Sequence, residues 1–237
     1  MGKRITSQKR GRGSRRYVAL SHRYFAEVKH KPLSAVSQFG KVIDLVHSVS
    51  HSAPLAVLRY DDGEIGYMLA SDGMAVGDIV ASGKTCEIKH GNTLQLGELP
   101  EGTLIYNIES KPGDGGKFVR SSGVFAKVLV KSGNKVKILM PSKKEKEFHV
   151  SCRATIGSVS GGGRLEKPFV KAGKRWHAMR ARGKLYPITS AVAMNAVEHP
   201  FGSGRGRHMG KPSVAPRNAP PGRKVGQVRA RRTGRKR

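Results

Sequence analysis

Three places in this chain carry residue types whose spacing could support chemistry. Cys86 and His90 stand four apart, and His149 and Cys152 three apart. Zinc would need four such ligands in a tetrahedron. Neither spacing is that of a common finger, and a strand through Cys86 would hold it about 13 Å from His90 by strand rise. Both cysteines are therefore read as small buried apolar residues, and no structural metal is expected. Glu198 beside His199 offers acid–base chemistry, because a carboxylate can orient an imidazole. No nucleophile is placed near that pair, and the glycines around it give a catalytic group no rigid support. His199 is read as a structural or ligand-contacting residue. The third place is the loop Ser110–Gly123, SKPGDGGKFVRSSG. A phosphate-cradling loop needs Gly, four residues, then Gly-Lys-Ser/Thr. Here Phe118 follows Gly116-Lys117, and Lys111 occupies the first glycine's place, so nucleotidase chemistry is excluded. Lys111, Lys117 and Arg120 remain as cations on a flexible loop suited to a nucleic-acid backbone.

The charge of the chain says what such cations are for. Its 237 residues carry 45 Lys and Arg against 16 Asp and Glu, a formal net charge of +29. Every carboxylate lies between Glu27 and Glu198. Residues 1–26 hold 8 basic groups and residues 199–237 hold 12, whereas residues 33–160 are close to neutral with 15 basic and 13 acidic. A nearly neutral body with two cationic arms is the pattern of a polyanion binder. A lipid surface is a poor match: there is no 18-residue apolar run, no basic amphipathic helix and no apolar segment behind the N-terminal charges. Two cysteines fit a reducing compartment without a disulfide framework. The polyanion is read as a cytosolic nucleic acid.

Several elements must position these groups. Residues 1–32 read as a basic, glycine-punctuated arm with no sustained period, and Arg4, Arg10, Arg12, Arg15 and Arg16 are its phosphate contacts. Tyr17, Tyr24 and Phe25 interleave aromatic faces that can stack on bases. Strands are expected at 40–49, 54–60, 64–70 and 76–80, with Asp61-Asp62-Gly63 and Ser71-Asp72-Gly73 as turns, giving a small barrel over 33–83. A second set at 85–89, 103–109, 124–130, 135–140 and 147–150 gives another small barrel of SH3-like size over 84–160. Val124, Ala126, Val128 and Val130 form one apolar face, and Ser132-Gly133-Asn134 is a tight hairpin. Gly161-Gly162-Gly163 opens a basic linker over 161–198. In it residues 171–182 are expected to form a short helix that packs Trp176 against the second barrel. The ribbon 199–237 alternates glycine, proline and cations, has no carboxylate, and is expected to bury no apolar core.

The run AMNAVEHPFGSGRGRHMGKP at 193–212 resembles the signature of the universal large-subunit ribosomal protein two, the L-two family. Further matching runs are GNTLQLGELPEGTLIYNIESKPGDGGKFVRSSG at 91–123, SCRATIGSVSGGGR at 151–164 and GRKVGQVRARRTGRKR at 222–237. Phe201 and the Arg-Arg-Thr-Gly ending are similar to archaeal and eukaryotic members, and the length to archaeal ones. The resemblance implies a mainly β chain: an OB-fold barrel, then an SH3-like barrel, with long basic irregular N- and C-terminal extensions threaded into large-subunit rRNA. It implies a primary rRNA binder, not an enzyme, that serves peptidyl-transferase centre architecture, subunit association and tRNA binding in the cytoplasmic ribosome. Its partners would be rRNA, neighbouring large-subunit proteins and the small subunit across the interface. No cofactor is implied, with Mg2+ only as an rRNA counterion. RNA contacts are further expected at Arg153, Arg164, Lys174, Arg175, Arg180, Arg182, Asn195, His199, Gly202, Gly204, Arg205, Arg207, His208 and Lys211. Arg217, Arg223, Lys224, Arg229, Arg231, Arg232 and Arg235 complete the set along the C-terminal ribbon. The family histidine long suggested as catalytic falls on His199, so direct participation in peptide-bond formation is the alternative reading. The family's HGGGEG-like stretch is here Phe201-Gly202-Ser203-Gly204-Arg205-Gly206, with arginine at the acidic position. A general DNA-binding protein is a third reading.

Overall fold

Short runs of β-branched residues, broken by glycine turns, build the centre of the chain. In the computed structural model, which describes residues 2–32, 36–84 and 86–227, β1 is Gln38–Val46, β2 Leu55–Tyr60, β3 Ile65–Leu69 and β4 Ile79–Ser82. The β2–β3 turn closes as Gly63 N–H donates to the Tyr60 carbonyl, at a φ of +81° that glycine adopts without strain. β1 pairs antiparallel with both β2 and β4. Val42, Ala56, Leu58, Met68, Ala70 and Val80 fill the space they enclose.

A second set follows: β5 Thr93–Gln95, β6 Leu104–Tyr106, β7 Ala126–Ser132, β8 Lys135–Leu139, β9 Glu145–His149 and β10 Arg153–Ile156. Its core is larger and includes Leu94, Leu96, Leu99, Ile105, Val128, Ile138, Phe148 and Cys152. The strand order β3-β2-β1-β4-β5-β10-β6-β7-β8-β9 is antiparallel except at Ser82↔Thr93, the β4–β5 pair that joins the two sets. The chain is mainly β, an OB-fold barrel followed by an SH3-like barrel. A third cluster, Val28, Leu55, Leu69, Tyr106 and Val159, draws on both sets. Within it the Tyr106 hydroxyl donates to the Leu69 carbonyl at 3.0 Å.

Several expectations are corrected. Residues 86–89 form no strand: Lys89 N–H turns back on the Glu87 carbonyl, and the Asn92 side chain holds that carbonyl as well. Thr85 lies outside the described residues. Strands β5 and β10 were not foreseen, since at three and four residues they are too short to show a sustained pattern. Val130 is 51% exposed, because a bulge between Val128 and Val130 turns it off the apolar face. Cys152 is buried, and Cys86 is only half-buried against the same core.

Ser21–Pro168 is one compact unit, hereafter the β unit. The described residues up to Leu20 and from Phe169 onward make a second, the basic unit. Its regular elements are α1 Thr6–Gly11, α2 Ala172–Ala181 and a 3₁₀ turn at Ala191–Ala193. No sustained period in the arm marks α1, which begins where the Gln8 side-chain carbonyl accepts the Ile5 N–H at 3.1 Å. Helix α2 buries none of its residues. Trp176 is 38% exposed there, with Arg180 5.3 Å from its ring centroid, so the expected burial is not observed. The ribbon does hold a small core: Ile5, Phe201 and Val225 are 7%, 5% and 6% exposed, and Ala191 packs on them.

Candidate nucleic-acid interface

The two units differ sharply in charge. Residues 1–20 and 169–237 carry 25 Lys and Arg against one carboxylate, Glu198, whereas residues 21–168 carry 20 against 15. Among the described residues every ion pair lies in the β unit. Among the described residues, the cations of the basic unit thus meet no carboxylate in an ion pair. Arg4, Arg10, Arg12, Arg15 and Arg16 are exposed, as are Lys174, Arg175, Arg180 and Arg182 on or just past α2. Arg205, Arg207, His208, Lys211 and Arg217 are exposed along the ribbon, with Asn195 and Gly204. Arg223 and Lys224 are half-buried. Arg229, Arg231, Arg232 and Arg235 lie outside the described residues.

In the β unit the basic loop is tightly held, contrary to the flexible loop expected. Buried Glu109 anchors it: its carboxylate accepts the N–H groups of Gly113 and Gly115, both at 3.2 Å. Asp114 accepts from Ser110, Lys111 and Gly116 and pairs with Lys117 at 3.3 Å. Lys111 and Lys117 stay exposed, while Arg120 turns inward to the carbonyls of Gly116 and Val28. Arg153 is a correction. Its side chain is 3% exposed and its Nη2 lies 2.7 Å from Glu109 Oε1, with a second bond through Nε. A guanidinium enclosed and shared in this way has no face left for a phosphate. Burial pushes the Glu109 carboxyl up, but bonds from Arg153 and Gly113 outweigh it and hold the group below the usual range. Arg164 is exposed, and its Nε donates to the Ser122 hydroxyl at 2.7 Å. Tyr24 and Phe25, read as base-stacking rings, meet the rings of His51 and Tyr67 edge-on, each at 5.8 Å.

His199 sits in a turn made by backbone. Glu198 and His199 donate to the Asn195 carbonyl, Gly202 to the His199 carbonyl, and Ser203 to the Met194 carbonyl. A Cβ at Gly202 would lie 2.4 Å from the Asn195 oxygen, so this glycine serves close approach of the chain to itself. The Phe201 N–H donates to His199 Nδ1 at 3.1 Å, which leaves the ring proton on Nε2. Burial lowers the pKa of the ring below its ordinary value, so near neutral pH His199 is an uncharged donor. In this tautomer Nδ1 accepts from the backbone and Nε2–H is left as a donor.

Two cavities flank this turn. One, of about 470 Å³, is walled by Gly2, Lys3, Arg4, Gln8, Lys211 and Arg223 together with His199. The other, of about 720 Å³, has an apolar wall of Ile5, Met194, Phe201, Met209 and Val225 with Thr6, Ser7, Lys224 and Gln227 among its polar groups, and His199 lines it too.

Residues 89–219 match the family model for the C-terminal domain of ribosomal proteins L2. The whole chain is similar to the large ribosomal subunit protein uL2 of Methanococcoides burtonii, 51% identical over 237 residues and all of both chains. The uL2 proteins of Archaeoglobus fulgidus and Haloarcula marismortui are each 50% identical, covering 99% of this chain and 99% and 98% of theirs. The chain belongs to the uL2 family, in its archaeal type. Family members are structural ribosomal proteins and not enzymes in the ordinary sense.

Within this uL2 chain, Lys3 and Gln8 escaped the sequence reading although both line the cleft beside His199. Lys3 was one basic residue among many in the arm, and no local signal marks it. Its backbone N–H donates to the Val197 carbonyl, a pairing 194 residues apart that a linear reading cannot find.

Proposed function

We propose that this chain is a structural, rRNA-binding constituent of the large ribosomal subunit, working in the cytoplasmic ribosome. The observation that carries this reading is the basic unit, with 25 cations against one carboxylate and, among its described residues, no internal ion pair. Folded rRNA packs phosphates densely, and each Lys or Arg that meets one releases counterions. With roughly ten such contacts, affinity falls by about five decades between 50 and 200 mM salt. The β unit supplies a stable body, and Lys111 and Lys117 add cations at its loop. Neighbouring large-subunit proteins, and the small subunit across the interface, are its further partners. Through the turn at His199 the protein supports the architecture of the peptidyl-transferase region, and with it tRNA binding. No cofactor is required, and Mg2+ acts only as a counterion of the RNA.

His199→Gln assembled into large subunits tests the reading. RNA docking and peptide-bond formation are expected to fall together. Normal assembly with peptide-bond formation abolished would instead assign His199 a chemical role. Competition between structured rRNA fragments and duplex DNA tests the partner, and indifference between them would overturn the ribosomal reading.

A further inference from the structure

The first four strands carry an outer face that is unusually apolar for one turned to solvent. β1 to β4 direct Val42, Leu58, Met68 and Val80 into their own core, so the alternate residues point away from it. Across the middle of that outer face the pairings Ile65↔Arg59, Arg59↔Lys41 and Lys41↔Ile79 set four side chains in one row. Ile65 and Ile79, at the two ends of the row, are 53% and 61% exposed, and Phe39 in the next row is 48% exposed. Val57 and Tyr67, paired in the row on the other side, are half-buried. Singly such residues need no explanation, but grouped on one face they mark an interaction surface.

The charges of the face decide the kind of partner. Lys41 and Arg59 stand directly opposite each other on β1 and β2, which is unfavourable while no anion lies between them. Each adjoining row brings one carboxylate. Asp44 lies opposite Val57, and the Asp61 N–H donates to the Phe39 carbonyl. None of these four charged groups is in an ion pair among the described residues. The face therefore has two cations at its centre and a carboxylate to either side, unlike the basic unit with its excess of cations. A polyanion laid across it would meet repulsion at both flanks, and the two isoleucines give a nucleobase no ring to stack on. An apolar surface of another protein, with an Asp or Glu aimed between Lys41 and Arg59, meets every part of this pattern.

We propose that the outer face of β1, β2, β3 and β4 docks a neighbouring protein of the large subunit, through an apolar patch of that protein with a carboxylate at its centre. The inference rests on the reading of the chain as a large-subunit constituent and gives one of its protein contacts a place.

Photochemistry in the assembled particle tests it. The full-length chain, with p-benzoylphenylalanine replacing Phe39, is built into large subunits and irradiated. The expected product is a crosslink to a protein, with Asp or Glu close to the attachment point in the peptide identified by mass spectrometry. Adding Lys41→Met and Arg59→Met is expected to cut the yield at least ~5-fold, since the central carboxylate loses both of its partners. The free protein with these two substitutions is expected to melt no lower than the parent, because opposed like charges are removed. Crosslinks to rRNA, or none to any protein, would overturn the inference and leave rRNA binding by the basic unit untouched. An undiminished yield in the doubly substituted chain would also overturn it, as would an attached peptide without carboxylates. A lowered melting point would assign Lys41 and Arg59 an internal role and remove the docking face. Failure of the unsubstituted chain to enter large subunits would sink the ribosomal reading itself.

Discussion

The Phe201 N–H donates to His199 Nδ1 at 3.1 Å, and the two rings stand 5.3 Å apart. This pairing makes the histidine part of the turn's own scaffold. Burial holds its pKa below 6.5, so the folded state prefers the neutral ring. The unfolded chain binds the extra proton first as pH drops, so the stabilisation is complete above about pH 6.5 and is lost as pH falls through the folded value. NMR of the ring nitrogens is expected to show a non-protonated Nδ1 and a midpoint below the ordinary histidine value. A protonated Nδ1 at pH 7 would contradict the assignment.

His30 makes a larger pH-dependent contribution in the β unit. Its Nε2 donates to the Asn107 carbonyl at 2.7 Å. Burial, and the nearby Arg153 and Arg120 cations, lower its pKa to about 4. The gap from 6.5 corresponds to about 3 kcal/mol of stability, present above pH 6.5 and lost as pH falls to about 4. Urea denaturation across that window is expected to show the loss, and His30→Gln to flatten the slope. An equally steep slope in the variant would mean that another group carries it.

Glu109 and Arg153 hold the loop between β6 and β7 from inside. Glu109→Gln leaves the Arg153 guanidinium buried without its counter-charge, which costs about 3–5 kcal/mol. Chemical denaturation should register this as an earlier midpoint, and amide exchange at Gly113 and Gly115 should accelerate as their acceptor weakens. Unchanged exchange would show that the loop is held by Asp114 alone.

The sequence shows some of this plainly and hides the rest for physical reasons. Strands β1 to β3 were legible because β-branched runs end at glycine turns such as Asp62-Gly63. β10 was hidden because it is only four residues long, and its two polar residues, Arg153 and Thr155, are buried, so their polarity pointed to a surface that the fold does not leave open. The bulge that turns out Val130 leaves no trace in an alternating run. The charge of the ribbon was legible from composition alone. The burial of Phe201 was not, since its partners Ile5 and Val225 lie 196 and 24 residues away. Arg153 looked like one more surface cation because its partner Glu109 is 44 residues distant.

The glycines of the ribbon separate two uses that composition treats alike. At Gly202 an added Cβ would meet the Asn195 oxygen at 2.4 Å and the Met194 oxygen at 2.5 Å, both backbone atoms that cannot swing aside. At Gly204 the nearest atom would be the His208 oxygen at 3.6 Å, an ordinary contact. Gly202→Ala must therefore open the turn that carries His199, at a cost of about 2 kcal/mol or more, whereas Gly204→Ala should fold as the parent does. Limited proteolysis is the direct measurement, with faster cleavage between Met194 and Met209 expected in Gly202→Ala only. Weakened rRNA binding should accompany that cleavage, while denaturation of the β unit keeps its midpoint. Equal protease resistance in the two variants would mean that the turn does not depend on close backbone approach at Gly202.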